Sequence, residues 1–325
     1  MRFCDIVGHD HAKETLRRAA DRNRVPHACL FHGPEGVGKK SLALAFLQYL
    51  VCRDRTPGDP DSCGECRPCR QVAAGTFADL LVMEPEKGVI KIERIREAFP
   101  RLQFEPLVGP WKCILINDAH ALTIEAANAA LKTLEEPPSN TLFVLVTSTP
   151  DTLPRTVLSR CLHLSFGPLP AEVVAGILVD RHGMSEVDAR NAAALAQGSP
   201  AVALKLVGSP VLAERVGFLK SFLELADAGP EQRLRFAEGI AGGREEFEEH
   251  EHLVKSLMQD ILAAVAGQSD DRFCNADLGN EIRAFARRIG PDRVLEMAAA
   301  FMEWDSNRRY HPNSRMFLDR LVLSF

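Results

Sequence analysis

Residues 27–42 constrain the fold more than any other stretch. A short apolar run, Ala28-Cys29-Leu30-Phe31, leads into a glycine-rich turn from Gly33 to Gly38, and an alanine- and leucine-rich helical run follows from Ser41. This is the strand–loop–helix setting of a P-loop, in which backbone N–H groups and a helix N-terminus face a phosphate and Lys39 reaches over it. Gly33, Gly36, Gly38, Lys39, Lys40 and Ser41 are the candidate phosphate contacts. One position departs from the pattern. G-x-x-x-x-G-K-[ST] asks for a hydroxyl after the lysine, to coordinate Mg²⁺, and this chain has Lys40, whose ammonium cannot do so. Ser41 is one residue late, roughly 100° further round the helix. The loop is suited to holding a phosphate and poorly equipped to break it.

With 325 residues, the chain is expected to form two or three domains. Its net charge of −5 argues against DNA binding by bulk charge, so any nucleic-acid contact must come from a local patch or from partners. The first residues, Met1-Arg2-Phe3-Cys4-Asp5, hold no apolar leader, and no apolar run approaches the ~18 residues of a membrane span. A cytoplasmic protein is expected. Four of the nine cysteines lie between Cys52 and Cys69, which in a reducing compartment points to metal before disulfides.

Residues 10–23 carry Ala12, Leu16, Ala19 and Ala20 on one helical face, with Asp10 as the expected N-cap. After the P-loop, Leu42, Ala45, Phe46 and Leu50 continue a buried helix to Cys52. The composition then changes: residues 53–69, RDRTPGDPDSCGECRPC, have almost no apolar side chains and cannot make a core by burial. Cys63, Cys66 and Cys69 at C-x-x-C-x-x-C spacing, with Cys52 as a fourth thiolate, suit tetrahedral zinc. Four thiolates leave no open position, so the ion is read as a structural staple; a redox pair or unrelated buried cysteines are the other readings.

Leu80–Met83 reads as a strand, and Ile92, Ile95, Phe99 and Leu102 mark an amphipathic helix. Residues 112–118 read as an apolar strand ending in Asp118, the place of a Walker B aspartate that holds Mg²⁺. Ala119 follows it, where an active ATPase of this type has a glutamate base. A helix over Ile124–Glu135 is stopped by Pro137-Pro138. Thr141–Thr147 is a continuous apolar run of the kind buried on both faces of a parallel sheet, and its end, with Ser148 and Thr149, is expected near the phosphate site. A short helix through Val157, then Ser159-Arg160-Cys161, precedes a final strand over 162–166. Gly167-Pro168-Leu169-Pro170 is a linker signal. Beyond it the pattern is helical: Ala171–His182, 185–197 and 201–207, then, from Ser209-Pro210, a second region with its longest helix over 244–266, followed by Pro291–Asn307 and 313–323. In the longest helix the acids Glu245, Glu246, Glu248 and Glu249 suit the N-terminus, and Leu253, Leu257, Ile261, Leu262 and Val265 form an apolar stripe.

The P-loop, the Cys52/Cys63/Cys66/Cys69 module, the string LKTLEEPP over 131–138 and Ser159-Arg160-Cys161 together resemble the bacterial clamp-loader AAA+ subunits of DNA polymerase III. The last two strings are specific to that group, and the resemblance is strong over the first half of the chain. It implies an α/β P-loop AAA+ domain over 1–167, with a zinc module at 52–69 inserted beside a parallel sheet. A small three-helix lid over 168–208 and an all-α collar for oligomerisation over 209–325 would follow. Lys40, Asp118-Ala119 and Ala201, where the family's motor subunit keeps a hydroxyl, Asp-Glu and a lid arginine, resemble the member that does not hydrolyse ATP itself. The resemblance then implies a hetero-pentamer with gamma/tau and delta subunits, in which ATP or ADP is held without being hydrolysed and Arg160 serves as an arginine finger on a neighbour's ATP. The assembly would load a sliding clamp on primed DNA for the replicative DNA-directed DNA polymerase.

Three other readings compete: an active motor subunit, in which Ser41 or water replaces the missing Mg²⁺ ligand; a switch that keeps nucleotide as a structural ligand; and a zinc-ribbon DNA-binding protein. Against the last stand the acidic net charge and the want of aromatics around Cys63 to Cys69, where only Arg67 and Arg70 could meet phosphate.

Overall fold

The computed structural model describes residues 1–207, 214–240, 244–307 and 313–325. They fall into two compact units, Met1–Leu169 and Pro170–Phe325.

In the first unit, strands β1 (Ala28–His32), β2 (Leu80–Met83), β3 (Lys112–Ile116), β4 (Thr141–Thr147) and β5 (Leu162–Ser165) form one parallel sheet in the order β2-β3-β4-β1-β5. β1 is paired on both edges, with His32 opposite Thr147 on β4 and Ser165 on β5. Successive strand residues face opposite sides of a sheet, so a strand covered on both sides reads as unbroken apolar sequence. Cys29, Phe31, Cys113, Leu115, Leu142, Val144 and Val146 accordingly pack into one core with Leu16 of α1 (Asp10–Asp21) and Leu42 and Phe46 of α2 (Lys39–Val51). Ala28, Leu30, Ile114, Ile116, Phe143 and Leu145 pack into a second with Ile95 of α4 (Ile92–Ala98), Ala126, Ala130 and Leu134 of α5 (Ile124–Glu135) and Val157 of α6 (Arg155–Leu158). Each fully buried leucine or phenylalanine contributes about 1.5–3 kcal/mol by area, which fixes the register of the central strands.

Three local expectations are corrected. Asp10 is the first helical residue and not the cap: His9 holds the N-cap position in the left-handed conformation, while Asp10 pairs with Lys13 at 2.7 Å. α2 begins at Lys39, two residues before the expected Ser41, because Gly38, at φ 104°, makes the turn into the helix. β3 ends at Ile116, and Asp118 stands beyond it in a left-handed turn at φ 49°.

The second unit is helical: α7 (Ala171–His182), α8 (Glu186–Leu195), α9 (Pro200–Leu206), α10 (Arg215–Glu224), α11 (Pro230–Ile240), α12 (Arg244–Val265), α13 (Gly279–Ile289), α14 (Pro291–Asn307) and α15 (Ser314–Leu323). Ser185, Ser199 and Asn313 cap α8, α9 and α15 with their side-chain oxygens. Leu253, Leu257 and Ile261 form a buried stripe on α12 against Phe222, Ile282 and Val294, whereas Val265 at its end is exposed. A polar knot sits within this apolar packing: the buried Asp260 carboxylate accepts from the Cys274 N–H at 2.7 Å, the Asn275 N–H at 2.8 Å and Asn275 Nδ2 at 2.7 Å. Ser209-Pro210, the expected opening of the second helical region, lies outside the described residues, as do the side chains of Glu245, Glu246, Glu248 and Glu249.

Candidate functional site

The P-loop joins β1 to α2. Gly33 N–H donates to Thr147 O at 3.3 Å, so the loop is rooted on the carboxyl end of β4, where the apolar run ends in a buried threonine. Gly33 has φ 141°, and a Cβ there would fall 2.0 Å from the Phe166 carbonyl oxygen; only glycine fits. Gly36 and Gly38 also take positive φ, 73° and 104°.

Lys39 is 6% exposed, and its ammonium folds back on the loop, donating to Gly33 O at 2.6 Å and Pro34 O at 2.5 Å. Burial pushes its pKa down to about 8, against the opposing pull of Glu35 and Asp118. Asp118 is half-buried and accepts from Asn117 Nδ2 at 3.0 Å; burial raises its pKa, with Glu35 and Glu84 pushing the same way and His120 and Lys39 opposing them. Gly33, Lys39 and Asp118 are thus brought to the carboxyl edge of the sheet, as the sequence implies. Ala119, the residue after Asp118, is fully buried, and its methyl group has no atom that could take a proton.

Lys40, the departure from the P-loop pattern, is tied to Glu84 just beyond β2, Nζ to Oε1 2.5 Å. Sequence reading missed Glu84. Its signal was its place one residue past an apolar strand, at the edge where parallel sheets gather ligands.

The second cluster is the cysteine module. Cys52 caps the C-terminus of α2, Cys66 the N-terminus of α3 (Arg67–Ala73), and Cys69 lies in the first turn of α3. The sulfurs of Cys52, Cys63, Cys66 and Cys69 all lie within 4.8 Å of one another. Four thiolates around one zinc ion stand about 3.8 Å apart for Zn–S bonds of about 2.3 Å, so the set fits a tetrahedral ion. The N–H groups of Glu65 and Cys66 donate to Cys63 Sγ at 3.4 and 3.3 Å, and that of Cys63 to Cys52 Sγ at 3.3 Å. The two amides pull the Cys63 pKa down, but burial and the Cys52 and Cys66 thiols outweigh them and leave it above its ordinary value. At Cys66 burial opposes ionisation, but the Arg53 and Cys69 amides and the Cys69 and Cys63 thiols outweigh it and bring the pKa to about 7. Asp61 of the same loop receives the N–H groups of Phe3 and Cys4 at 3.0 and 2.7 Å, which sews the N-terminus to the module.

Arg160 forms a third cluster, two residues past α6. Among the described residues it bonds Glu135 Oε1, Thr156 O and Ser159 Oγ, and none of the P-loop.

Known proteins share this arrangement of sequence. Residues 8–170, about half of the chain, match the family described as DNA polymerase III, delta subunit. The delta-prime subunit of Escherichia coli K12 is 31% identical over 86% of this chain and 82% of its own length. The chain belongs to that family. The delta-prime subunit of Pseudomonas aeruginosa is 34% identical over 63% of this chain and 62% of its own. The tau/gamma subunit of Haemophilus influenzae is 42% identical over 50% of this chain, and the match spans only 23% of that longer protein. Among solved structures, a gamma subunit-related protein from Thermotoga maritima is 18% identical, with TM-score 0.45, over 96% of this chain and 97% of that one. The P-loop, the sheet and the cysteine module all lie within the first unit, over the stretch that matches these DNA polymerase III subunits.

Proposed function

We propose that this chain is the non-motor, delta-prime-type subunit of a DNA polymerase III clamp loader, and that it supplies Arg160 to ATP bound by a neighbouring gamma/tau subunit. The observation that carries the reading is Lys40: an ammonium stands at the Mg²⁺ hydroxyl position and is neutralised by Glu84 at 2.5 Å. With Ala119 in place of a base, the loop lacks two catalytic parts. Gly33, Gly36, Gly38, Lys39, Lys40, Ser41 and Asp118 would at most retain ATP or ADP unhydrolysed.

A guanidinium at a subunit boundary is suited to the charge that develops on a transferring phosphoryl group, because it is permanently charged and donates in a planar fork; such fingers are worth roughly 10³–10⁵ in rate. Arg160, half-exposed and outside its own P-loop cluster, suits delivery to another subunit. Within the helical unit, α7 to α9 would form the lid and the remaining helices the collar that holds the pentamer with gamma/tau and delta. Zinc is the ion we assign to Cys52, Cys63, Cys66 and Cys69, as a staple for a segment without a core. The assembly would work on a sliding clamp and primed DNA in the cytoplasm.

ATP turnover measures the reading. The purified chain alone should be silent; mixed with gamma/tau and delta subunits, clamp and primed DNA it should support turnover that Arg160→Ala sharply reduces. Robust turnover by the chain alone, abolished by Lys39→Ala, would make it a motor subunit instead.

A further inference from the structure

Arg160 is not a loose side chain. Nη2 donates to Glu135 Oε1 at 2.5 Å and Nη1 to Thr156 O at 2.8 Å, with Ser159 Oγ at 3.4 Å. The guanidinium therefore bridges two helices, since Glu135 is the last residue of α5 and Thr156 lies within α6. Pro137-Pro138 stop α5, so the chain itself sets Glu135 in the final turn. That turn already carries negative partial charge on its carbonyls, and with the Glu135 carboxylate it favours a cation.

The pair is too exposed to act as a strong brace for the fold: the two side chains are 32% and 48% accessible, and water screens such pairs. Its effect falls instead on the arginine. A free arginine samples many rotamers and loses them when it engages a phosphate, whereas one already held in place loses less. Five N–H donors are available on the fork, and the contacts to Glu135, Thr156 and Ser159 leave others for an incoming phosphate oxygen.

We infer that Glu135 is the positioning residue for Arg160, holding the guanidinium where a neighbouring subunit's nucleotide meets it. The inference rests on the arginine-finger reading above. It assigns a use to the first acid of the Glu135-Glu136-Pro137-Pro138 string, for which the P-loop chemistry has none. The contrary device is a latch, in which Glu135 competes with phosphate and restrains the finger. The two have opposite signs.

The test is steady-state ATP turnover by the reconstituted assembly with gamma/tau, delta, clamp and primed DNA, for wild type, Glu135→Ala, Glu135→Gln, Arg160→Ala and the double variant Glu135→Ala/Arg160→Ala. Glu135→Ala should lower kcat about fivefold, the rate equivalent of a half-exposed ion pair, and leave KM for ATP near its wild-type value. Glu135→Gln keeps an acceptor oxygen without the charge and should fall between. In the Arg160→Ala background, removing Glu135 should change nothing further, which distinguishes positioning from a structural role. Unchanged or faster turnover by Glu135→Ala, or an equal loss in both backgrounds, would overturn the inference while leaving the finger in place. If Arg160→Ala itself has no effect, the finger reading falls and this inference falls with it.

Discussion

Lys40 Nζ and Glu84 Oε1 stand 2.5 Å apart, joining the first turn of α2 to the end of β2 across the edge where the P-loop opens. Both side chains are about half exposed, so the pair contributes no more than about 1 kcal/mol to stability. On the function proposed above its weight is chemical: it puts a cation where a phosphate-cleaving loop has a metal ligand. Lys40→Ser would restore the hydroxyl of the pattern, yet Ala119 still leaves water without a base. The expected outcome is unfolding midpoints within about 1 kcal/mol of wild type and no phosphate release above background by the isolated chain. Turnover restored by this one substitution would show that the metal ligand alone had been limiting.

Lys39 yields a pH prediction. Its amine titrates at about 8 in the folded chain, below its ordinary 10.5, first because it is buried. Between those values the folded chain binds fewer protons than the unfolded one, so stability rises with pH through that window; the penalty is complete below pH 8 and gone above 10.5. Lys39→Met should therefore be more stable than wild type at pH 7, by up to about 3 kcal/mol less whatever the two carbonyl bonds return, and the difference should shrink by pH 10. Urea unfolding of both proteins at the two pH values checks it. A difference that does not vary with pH would refute the buried-cation account.

Gly33 tests how tightly the loop is seated. Gly33→Ala would drive a Cβ into the Phe166 carbonyl, at 2.0 Å, and strain a backbone at φ 141°. Backbone and not a flexible side chain would have to move, so a loss of about 3 kcal/mol or more is expected in chemical denaturation. A loss under about 1 kcal/mol would mean that β5 and the loop are not held together as described.

The sheet is legible in the sequence because burial on both faces leaves a plain trace: Thr141–Thr147 has no polar residue between its ends and is buried throughout. The helix over Ile124–Glu135 was equally legible from the prolines that stop it, while its cap, the Thr123 hydroxyl accepting from the Ala126 N–H, is seen only in the structure. The cysteine set was legible by spacing, and its sulfurs do converge. What escaped were partners distant in sequence. Glu84 lies 44 residues from Lys40, and Glu135 lies 25 from Arg160; no local period records such pairings, which depend on which strand ends and helix ends the fold brings together. The apolar pattern puts Asp118 at the end of the strand, yet β3 stops at Ile116 and Asp118 takes a left-handed turn, a conformation that aspartate tolerates better than most residues.

Metal removal should unravel one part of the chain and spare another. The segment 53–69 has few apolar side chains, so its order comes from the four cysteines and from polar anchors such as Arg55 on Asp21 at 2.8 Å and Tyr49 Oη on Asp59 O at 3.0 Å; ligation energy in such modules is folding energy. Because Asp61 also receives the Phe3 and Cys4 amides, the N-terminal residues should loosen together with the module. β4 is buried throughout and paired on both edges, so it is expected to hold without the ion. Cys66→Ser or a strong zinc chelator should release about one equivalent of metal and raise hydrogen exchange over residues 1–6 and 53–69 by an order of magnitude or more, while Thr141–Thr147 stays protected. Exchange that rises equally in β4 would mean that the ion supports the whole sheet. Exchange unchanged in the module after metal loss would mean that the polar anchors at Arg55, Asp59 and Asp61, and not the sulfurs, hold the segment.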